Sequence, residues 1–194
     1  MQKEEKLSGQ TTPRLFIGVR PDKKTQEFLD NLIKHYQKQL ENIKSDHLRW
    51  TTPANRHLTL AFLGNTPRKI IPPLRQGLIA LAQKKPRFQG LIYSLNPFPR
   101  LNPKALVVEL ATNPSLLELH QNCNRIIGEL GITPEKRTYR PHITLARSKE
   151  GFEQSSPFRL DFSISVENIT LYESTPEPQS SHYHPLLEAA LCER

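Results

Sequence analysis

Two strings in the sequence repeat one pattern, His57-Leu-Thr-Leu60 and His142-Ile-Thr-Leu145, and both run on into alanine. Histidine is the side chain whose ordinary pKa lets it give or take a proton near neutrality. A threonine two residues on adds an uncharged hydrogen-bond donor to the same region. Side chains alternate along a strand, so His57, Thr59 and Ala61 are expected on one face and Leu58, Leu60 and Phe62 on the other. The second copy is expected to set His142, Thr144 and Ala146 against Ile143 and Leu145. One such match arises by chance in about one chain in twenty of this composition, and two in roughly one in a thousand. The pair therefore reads as a device rather than as two strand histidines satisfied by their neighbours.

Chemistry that uses two imidazoles on opposite walls of a cleft is in-line phosphoester cleavage. One neutral ring takes a proton from the attacking oxygen while the other, protonated, gives one to the departing oxygen. Threonine hydroxyls and a guanidinium can hold the non-bridging oxygens as charge builds in the transition state. Arg147 is the candidate clamp, because guanidinium is always charged and binds phosphate in two-pronged fashion. A regular strand would turn Arg147 away from His142, so the strand must twist or end for it to help. Arg140, Arg137, Lys136, Arg100, Arg56 and Arg49 flank the motifs and are candidates to guide a polyanionic backbone. Phe98, Tyr139 and Trp50 are candidates to stack on a base. His120 and Cys123 sit one turn apart on an expected core helix and read as packing. His182 and His184 flank Tyr183, yet zinc asks for three or four ligands and no further spacing supplies them, so no metal is expected. No Gly-rich phosphate loop is present, which removes ATP-dependent ligation by that route.

The elements that must carry these residues alternate loosely. A first strand is expected at Arg14–Arg20, closed by Pro21, and a helix from Asp22 to about Ile43, with Asp22 as its cap. A loop spans Ser45–Asn55, followed by a strand over Arg56–Leu63. Pro67 opens a second helix to about Ala82, with Ile70, Ile71, Leu74, Leu78 and Leu81 in one stripe. Strands at Pro86–Leu95 and Ala105–Leu110 bracket a Pro-rich connection. Asn113 starts a third helix ending near Gly131, with Leu116, Leu117, His120, Cys123, Ile127 and Leu130 inward. A strand over Pro141–Arg147 carries the second motif, Phe158–Ile164 and Glu167–Tyr172 read as a closing hairpin, and Tyr183–Leu187 as a last short strand or turn. The irregular order argues for an α+β fold, and each half holds a helix followed by a strand that opens with histidine.

The chain has 194 residues, 27 Lys and Arg against 19 Asp and Glu, a formal charge of +8, 17 Pro and two Cys. That length suits one domain, expected over residues 14–194 behind a flexible tail of residues 1–13. The positive charge favours polyanionic partners, nucleic acid first. Two cysteines make no disulfide framework, and no apolar run reaches the roughly 20 residues of a membrane helix. A cytoplasmic location with no membrane partner is the expectation.

The paired His-x-Thr-x motifs resemble those of the two-histidine (2H) phosphoesterase superfamily, and within it the LigT-like RNA 2′,3′-cyclic phosphodiesterases, also called the 2′-5′ RNA ligase family. The likeness extends to Arg14-Leu-Phe-Ile-Gly-Val-Arg-Pro21, to Trp50, Pro53 and Asn55 before the first motif, to Phe98-Pro99, to Pro141 and Arg147 around the second, and to Ile169-Thr-Leu-Tyr-Glu-Ser174. It implies a bilobal, pseudo-twofold α+β fold, in which two antiparallel sheets form a central V-shaped cleft with helices outside. It implies hydrolysis of a terminal 2′,3′-cyclic phosphate to a 2′-phosphate without metal or cofactor, and reversible 2′-5′ ligation of RNA ends. By carry-over His57, Thr59, His142 and Thr144 form the catalytic set, with His57 as proton donor toward the 3′-oxygen and His142 as proton acceptor from water. Reversing the substrate reverses those roles. Arg147, Arg140, Phe98 and Tyr139 are the expected substrate contacts, and a monomer acting on RNA ends, tRNA fragments or nucleotides with a 2′,3′-cyclic phosphate is the expected form. One departure stands out: the family often has a glycine between its C-terminal Glu-Ser strand and a final tyrosine, and Glu173 to Tyr183 contains none. The rival readings are a 2H enzyme for a cyclic nucleotide or a 2′-5′ oligonucleotide, and a non-catalytic RNA-binding module of the same fold.

Overall fold

The computed structural model describes residues 12–39, 48–152, 157–177 and 181–193. The expected tail up to residue 11 and the end of the first helix beyond residue 39 lie outside the described residues. In chain order the elements are β1 (Arg14–Val19), α1 (Lys23–Gln39), β2 (Leu48–Trp50), β3 (Leu58–Asn65), α2 (Ile71–Ala82), β4 (Phe88–Phe98), β5 (Ala105–Leu110), α3 (Pro114–Glu129), β6 (His142–Ser148), β7 (Phe158–Val166), β8 (Asn168–Pro176) and β9 (Ser181–Ala190). Single 3₁₀ turns at Pro53–Asn55 and Arg68–Ile70 precede β3 and α2.

The helix starts follow from their caps. Asp22 accepts the Thr25 N–H at 2.8 Å, and Asn113 accepts the Leu116 N–H at 2.8 Å with Pro114 next in line. In α3 the buried stripe is Leu116, Leu119, Cys123, Ile126 and Ile127, whereas Leu117, expected inward, is exposed. None of the helices described is long and apolar enough to cross a membrane.

The strands form one hydrogen-bonded path, β7-β4-β5-β6-β3-β1-β8-β9, with antiparallel neighbours throughout. The two expected sheets are therefore halves of one, and their joint is narrow. β3 and β6 share a single register pair, Leu58 with Ile143, the residues that follow the two histidines. Beyond that pair the strands part. The edge of β6 that β3 leaves is taken up by β2, which pairs Leu48, Arg49 and Trp50 with Ser148, Arg147 and Ala146. The expected loop over residues 45–55 thus contains a short strand, whose pairing depends on a distant element.

Two further expectations are corrected. β7 and β8 do not form a hairpin: β7 pairs with β4 at one edge of the sheet, and β8 runs between β1 and β9 near the other. Adjacency in sequence lost to the pairing each half of the sheet needs to cover its core. The last strand is ten residues long, because β9 keeps register with β8 from Asn168–Ala190 to Pro176–Ser181.

Helices cover both halves. α3 lies against β3 and α2, and α2 against β8 and β9. α1 stacks Phe28 on Phe162 of β7 with ring centroids 3.9 Å apart. Leu58, Leu60, Ile143 and Leu145 are at most 1% exposed beneath the joint, each contributing roughly 1.5–3 kcal/mol by burial. Arg56, considered above as a backbone guide, is also buried. It binds Asp30 at 2.7 Å, the Thr51 carbonyl and the Gln26 amide, and so ties the approach to the first motif onto α1.

Close approach explains one glycine in β1. A Cβ on Gly18 would stand 2.9 Å from the Leu58 carbonyl oxygen and 3.6 Å from the His57 ring, so any larger residue pushes β3 away from β1. Gly128, inside α3, meets only a Pro134 ring carbon at 3.9 Å. In urea denaturation, Gly18→Ala is expected to lose about 1–3 kcal/mol by overpacking. Gly128→Ala is expected to gain about 0.5–1 kcal/mol from helix propensity. A neutral Gly18→Ala would contradict the close packing of β1 on β3.

Candidate active site

The parting of β3 from β6 opens a cleft of about 330 Å³, lined by His57, Thr59 and Phe62 from one strand, His142, Thr144 and Arg147 from the other, and Arg14, Asn55 and Tyr183 among others. The two sets match residue for residue: His, then Thr two positions on, then a third side chain three positions later.

That last step is not what regular alternation gives. Ala61 and Ala146, expected beside the histidines, are 4% and 0% exposed, while Phe62 and Arg147 face the cleft. The cause is a bulge at the same point in each strand. Gly18 pairs with Thr59 and Ile17 with Ala61, which leaves Leu60 as the extra residue. Val107 pairs with Thr144 and Leu106 with Ala146, which leaves Leu145 extra. An inserted residue shifts the alternation by one and re-aims the side chains beyond it. This is how Arg147 reaches the face of His142.

A bulge frees a carbonyl from the ladder, and a buried carbonyl left unpaired costs about 1–3 kcal/mol. Both are satisfied. The Leu145 carbonyl accepts the Thr51 N–H at 2.8 Å. The Leu60 carbonyl accepts from His120 Nδ1 at 2.7 Å, and the preceding Thr59 carbonyl accepts from the Tyr139 hydroxyl at 3.1 Å. His120 and Tyr139 are themselves stacked, with centroids 3.8 Å apart and planes 7° off parallel. His120, read as packing, thus also holds the first motif strand. Tyr139 is spent on the same task and does not line the cleft.

The histidines are held alike. Nδ1 of His57 lies 2.8 Å from the Asn55 carbonyl, and Nδ1 of His142 lies 2.8 Å from the Arg140 carbonyl. A carbonyl only accepts, so Nδ1 carries the hydrogen and Nε2 is the nitrogen left for proton transfer. The surroundings differ. His57 sits among Phe16, Tyr172 and Tyr183, with centroids at 4.6, 5.9 and 5.1 Å. Asn55 fixes that cage by giving a hydrogen bond to the Ser181 carbonyl and accepting the Tyr183 N–H, which ties β9 to the first motif. His142 stacks on Phe98 at 4.6 Å, and the Arg140 guanidinium lies 4.8 Å from the centre of the same ring. Arg140 also pairs with the buried Glu109 at 2.6 Å. Phe98 is therefore occupied by His142 and Arg140, and Arg140 opens on a neighbouring pocket.

Burial lowers the pKa of both rings. For His57 it brings the value down to about 4, with the bond to Asn55 opposing and His142 and Arg147 adding to the fall. For His142 burial again dominates, the Arg140 carbonyl and the Glu109 carboxylate oppose it, and Arg147 and Arg140 add to it. Both rings are neutral at pH 7 in the free protein, and Glu109 sits on the side of His142 alone.

Elsewhere the structure separates the remaining candidates. Trp50, Arg49 and Tyr183 line a pocket of about 320 Å³ that continues from the cleft through Arg147 and Asn55. Arg137 is exposed and paired with Glu135. His182 and His184 stand 4.3 Å apart on β9 with no third metal-binding partner among the described residues. Gly18, Asn55 and Glu109 are site-building residues that sequence reading did not single out for these roles. Gly18 and Asn55 fall within the strings that carry the family likeness, and Glu109 had no signal beyond its place in a strand.

Fold and cleft together are those of a two-histidine phosphoesterase. The sequence profile of the 2′-5′ RNA ligase superfamily matches residues 29–175, and the chain belongs to that family. It is 30% identical over 166 residues to an RNA 2′,3′-cyclic phosphodiesterase of Bacillus subtilis, covering 83% of this chain and 87% of the relative. A Thermus thermophilus protein of solved structure superposes with a TM-score of 0.81 at 24% identity, over 93% of this chain and 98% of that one. E. coli LigT complexed with 3′-AMP gives 0.74 at 25% identity, over 93% and 99%.

The difference between the two rings is measurable by NMR titration. The His57 resonances are expected to titrate near pH 4 and those of His142 below the ordinary 6.5. Glu109→Gln should lower the His142 midpoint further and leave that of His57 in place. The unfolded chain protonates His57 near pH 6.5 and the folded site does not, so stability is full above 6.5 and declines as pH falls toward about 4. A His142 midpoint that rises in Glu109→Gln would contradict this electrostatic picture.

Proposed function

We propose that the chain hydrolyses the 2′,3′-cyclic phosphate at RNA 3′ ends to a 2′-phosphate, without a metal or cofactor, as a cytoplasmic monomer. The observation that carries this reading is the matched pair of imidazoles, each fixed through Nδ1 by the carbonyl two residues before it, on one cleft with two threonines and the guanidinium groups of Arg147 and Arg14. The Bacillus subtilis relative, an RNA 2′,3′-cyclic phosphodiesterase, supports the substrate.

In this mechanism Nε2 of His142 takes a proton from water as the water oxygen bonds to phosphorus. The bond from phosphorus to O3′ breaks, and protonated His57 gives its proton to O3′. A 2′-phosphate and a 3′-hydroxyl result, with His142 protonated and His57 neutral until solvent resets them. Glu109 beside His142 favours proton uptake there, and the aromatic cage makes protonated His57 a ready donor. The phosphate brings negative charge that supports the protonated form in the bound state. Thr59, Thr144 and Arg147 hold the non-bridging oxygens, at roughly 2–4 kcal/mol per well-aimed donor. With an RNA 5′-hydroxyl in place of water, the same displacement forms a 2′-5′ linkage.

The test is a short RNA ending in a 2′,3′-cyclic phosphate, incubated in EDTA, with the phosphate position of the product assigned. The expected product is the 2′-phosphate, and His57→Ala and His142→Ala should each cost at least about 10²-fold in kcat. The profile of kcat/KM should be bell-shaped, falling at low pH as His142 gains a proton and at high pH as His57 loses one. Its centre should lie on the acid side of 6.5, because both rings are depressed in the free protein. RNA binding without turnover would select the non-catalytic module, and loss of turnover in EDTA would end the metal-free reading.

A further inference from the structure

On the phosphodiesterase reading the cleft takes the reacting phosphate, and a larger pocket lies outside it. That pocket, about 520 Å³, opens on the far side of the Phe98–Arg140 contact and is bounded by Asn96, Arg100, Leu101, Glu109 and Arg140 among others. It is two ring contacts from the reacting centre, since His142 stacks on Phe98 and Phe98 meets the Arg140 guanidinium. That is the scale of one nucleotide step along a single strand.

Its chemistry is that of a site for a phosphodiester. Arg140 uses one nitrogen, Nη2, on Glu109, and a guanidinium has five N–H donors. Arg100 is exposed and has no ion pair or hydrogen bond among the described residues. Among the described residues that line it the one carboxylate, Glu109, is already neutralised: Oε1 accepts from Arg140, and Oε2 from Tyr93 and Asn96. It offers an incoming anion little repulsion. Leu101 is 88% exposed at the rim, an apolar surface that costs free energy in water and suits the face of a base.

We propose that this pocket binds the nucleotide immediately upstream of the reacting end, with its phosphodiester between Arg100 and Arg140 and its base against Leu101. The proposal rests on the phosphodiesterase reading and extends it: the preferred substrate is an RNA 3′ end of at least two nucleotides rather than a cyclic mononucleotide. Phe98 then couples the two sites, because the guanidinium that holds the upstream phosphate rests on the same ring that His142 stacks on.

The test compares equilibrium affinity for a diadenosine dinucleotide ending in a 2′-phosphate with that for adenosine 2′-monophosphate, in the full chain, Arg100→Ala and Leu101→Ala. Hydrolysis of 2′,3′-cyclic AMP is measured alongside. The unaltered chain is expected to bind the dinucleotide at least about tenfold tighter. Arg100→Ala should shrink that advantage roughly tenfold and lower the salt dependence of dinucleotide binding by about one contact, a slope change of about 0.7. Leu101→Ala should shrink the advantage several-fold and leave the salt slope alone. Equal affinities in the unaltered chain, or an advantage that survives both substitutions, overturn the pocket. Failure to hydrolyse the cyclic mononucleotide and the dinucleotide's cyclic form would overturn the phosphodiesterase reading, and the affinity ratio would still decide the pocket.

Discussion

Leu58 and Ile143 are the one cross-strand pair that β3 and β6 share, and the arrangement of the cleft depends on that pair being alone. Were the antiparallel ladder extended by one residue either way in this register, the sheet would close, with Thr144 opposite His57 and Thr59 opposite His142. Were they unpaired, nothing would hold one histidine in register with the other. A single pair ties the N-terminal ends of the two strands, which run away from it in opposite directions and leave the cleft beside it. β2 and the Thr51 N–H then occupy the edge of β6 that β3 abandons, so the opening leaves no ladder edge bare at depth.

Symmetry in the backbone is used to produce asymmetry in charge. The bulges fall at equivalent points, the Nδ1 bonds have equal length, and the leucines beneath are equally buried. A neutral environment on one side and a buried carboxylate on the other then make two otherwise equal rings differ in proton affinity. A pair of general catalysts needs such a difference, since two identical imidazoles would compete for the same proton. The scaffold supplies position twice, and the neighbours supply role.

The sequence made the motifs, the three helices, most strands and the pairing of two halves legible, because repeated residue types and 3.6- or 2-residue spacing report directly on which faces are buried. It did not reveal the bulges. Alternation assumes an unbroken pleat, so Ala61 and Ala146 were assigned to the cleft and Phe62 to the core, the reverse of what the structure has. Arg147 was the clue: its usefulness required the strand to depart from regularity, and it does. The β7–β8 hairpin failed because short connections favour adjacent pairing and only the global strand order can veto it. Arg56 failed for a different reason, since a charged residue reads as surface unless its buried partners, here Asp30 and Gln26, are known. Tyr139 and Phe98 have the right chemistry for a base, yet each is engaged by a histidine of the protein itself.

That last substitution of partners bears on how aromatic rings serve in such a cleft. A ring stacked on a base contributes affinity, whereas a ring stacked on an imidazole restricts where the proton can go. Phe98 holds one face of His142, and Phe16 and Tyr183 bound His57. With Nδ1 committed to a carbonyl, each imidazole has lost the freedom to flip, and the entropy of orienting it is met on folding rather than on binding. The aromatic residues near the motifs thus act on the reaction through the histidines. Under the proposed function, recognition of RNA falls to groups that the fold leaves exposed, the arginines along the cleft and in the pockets beside it.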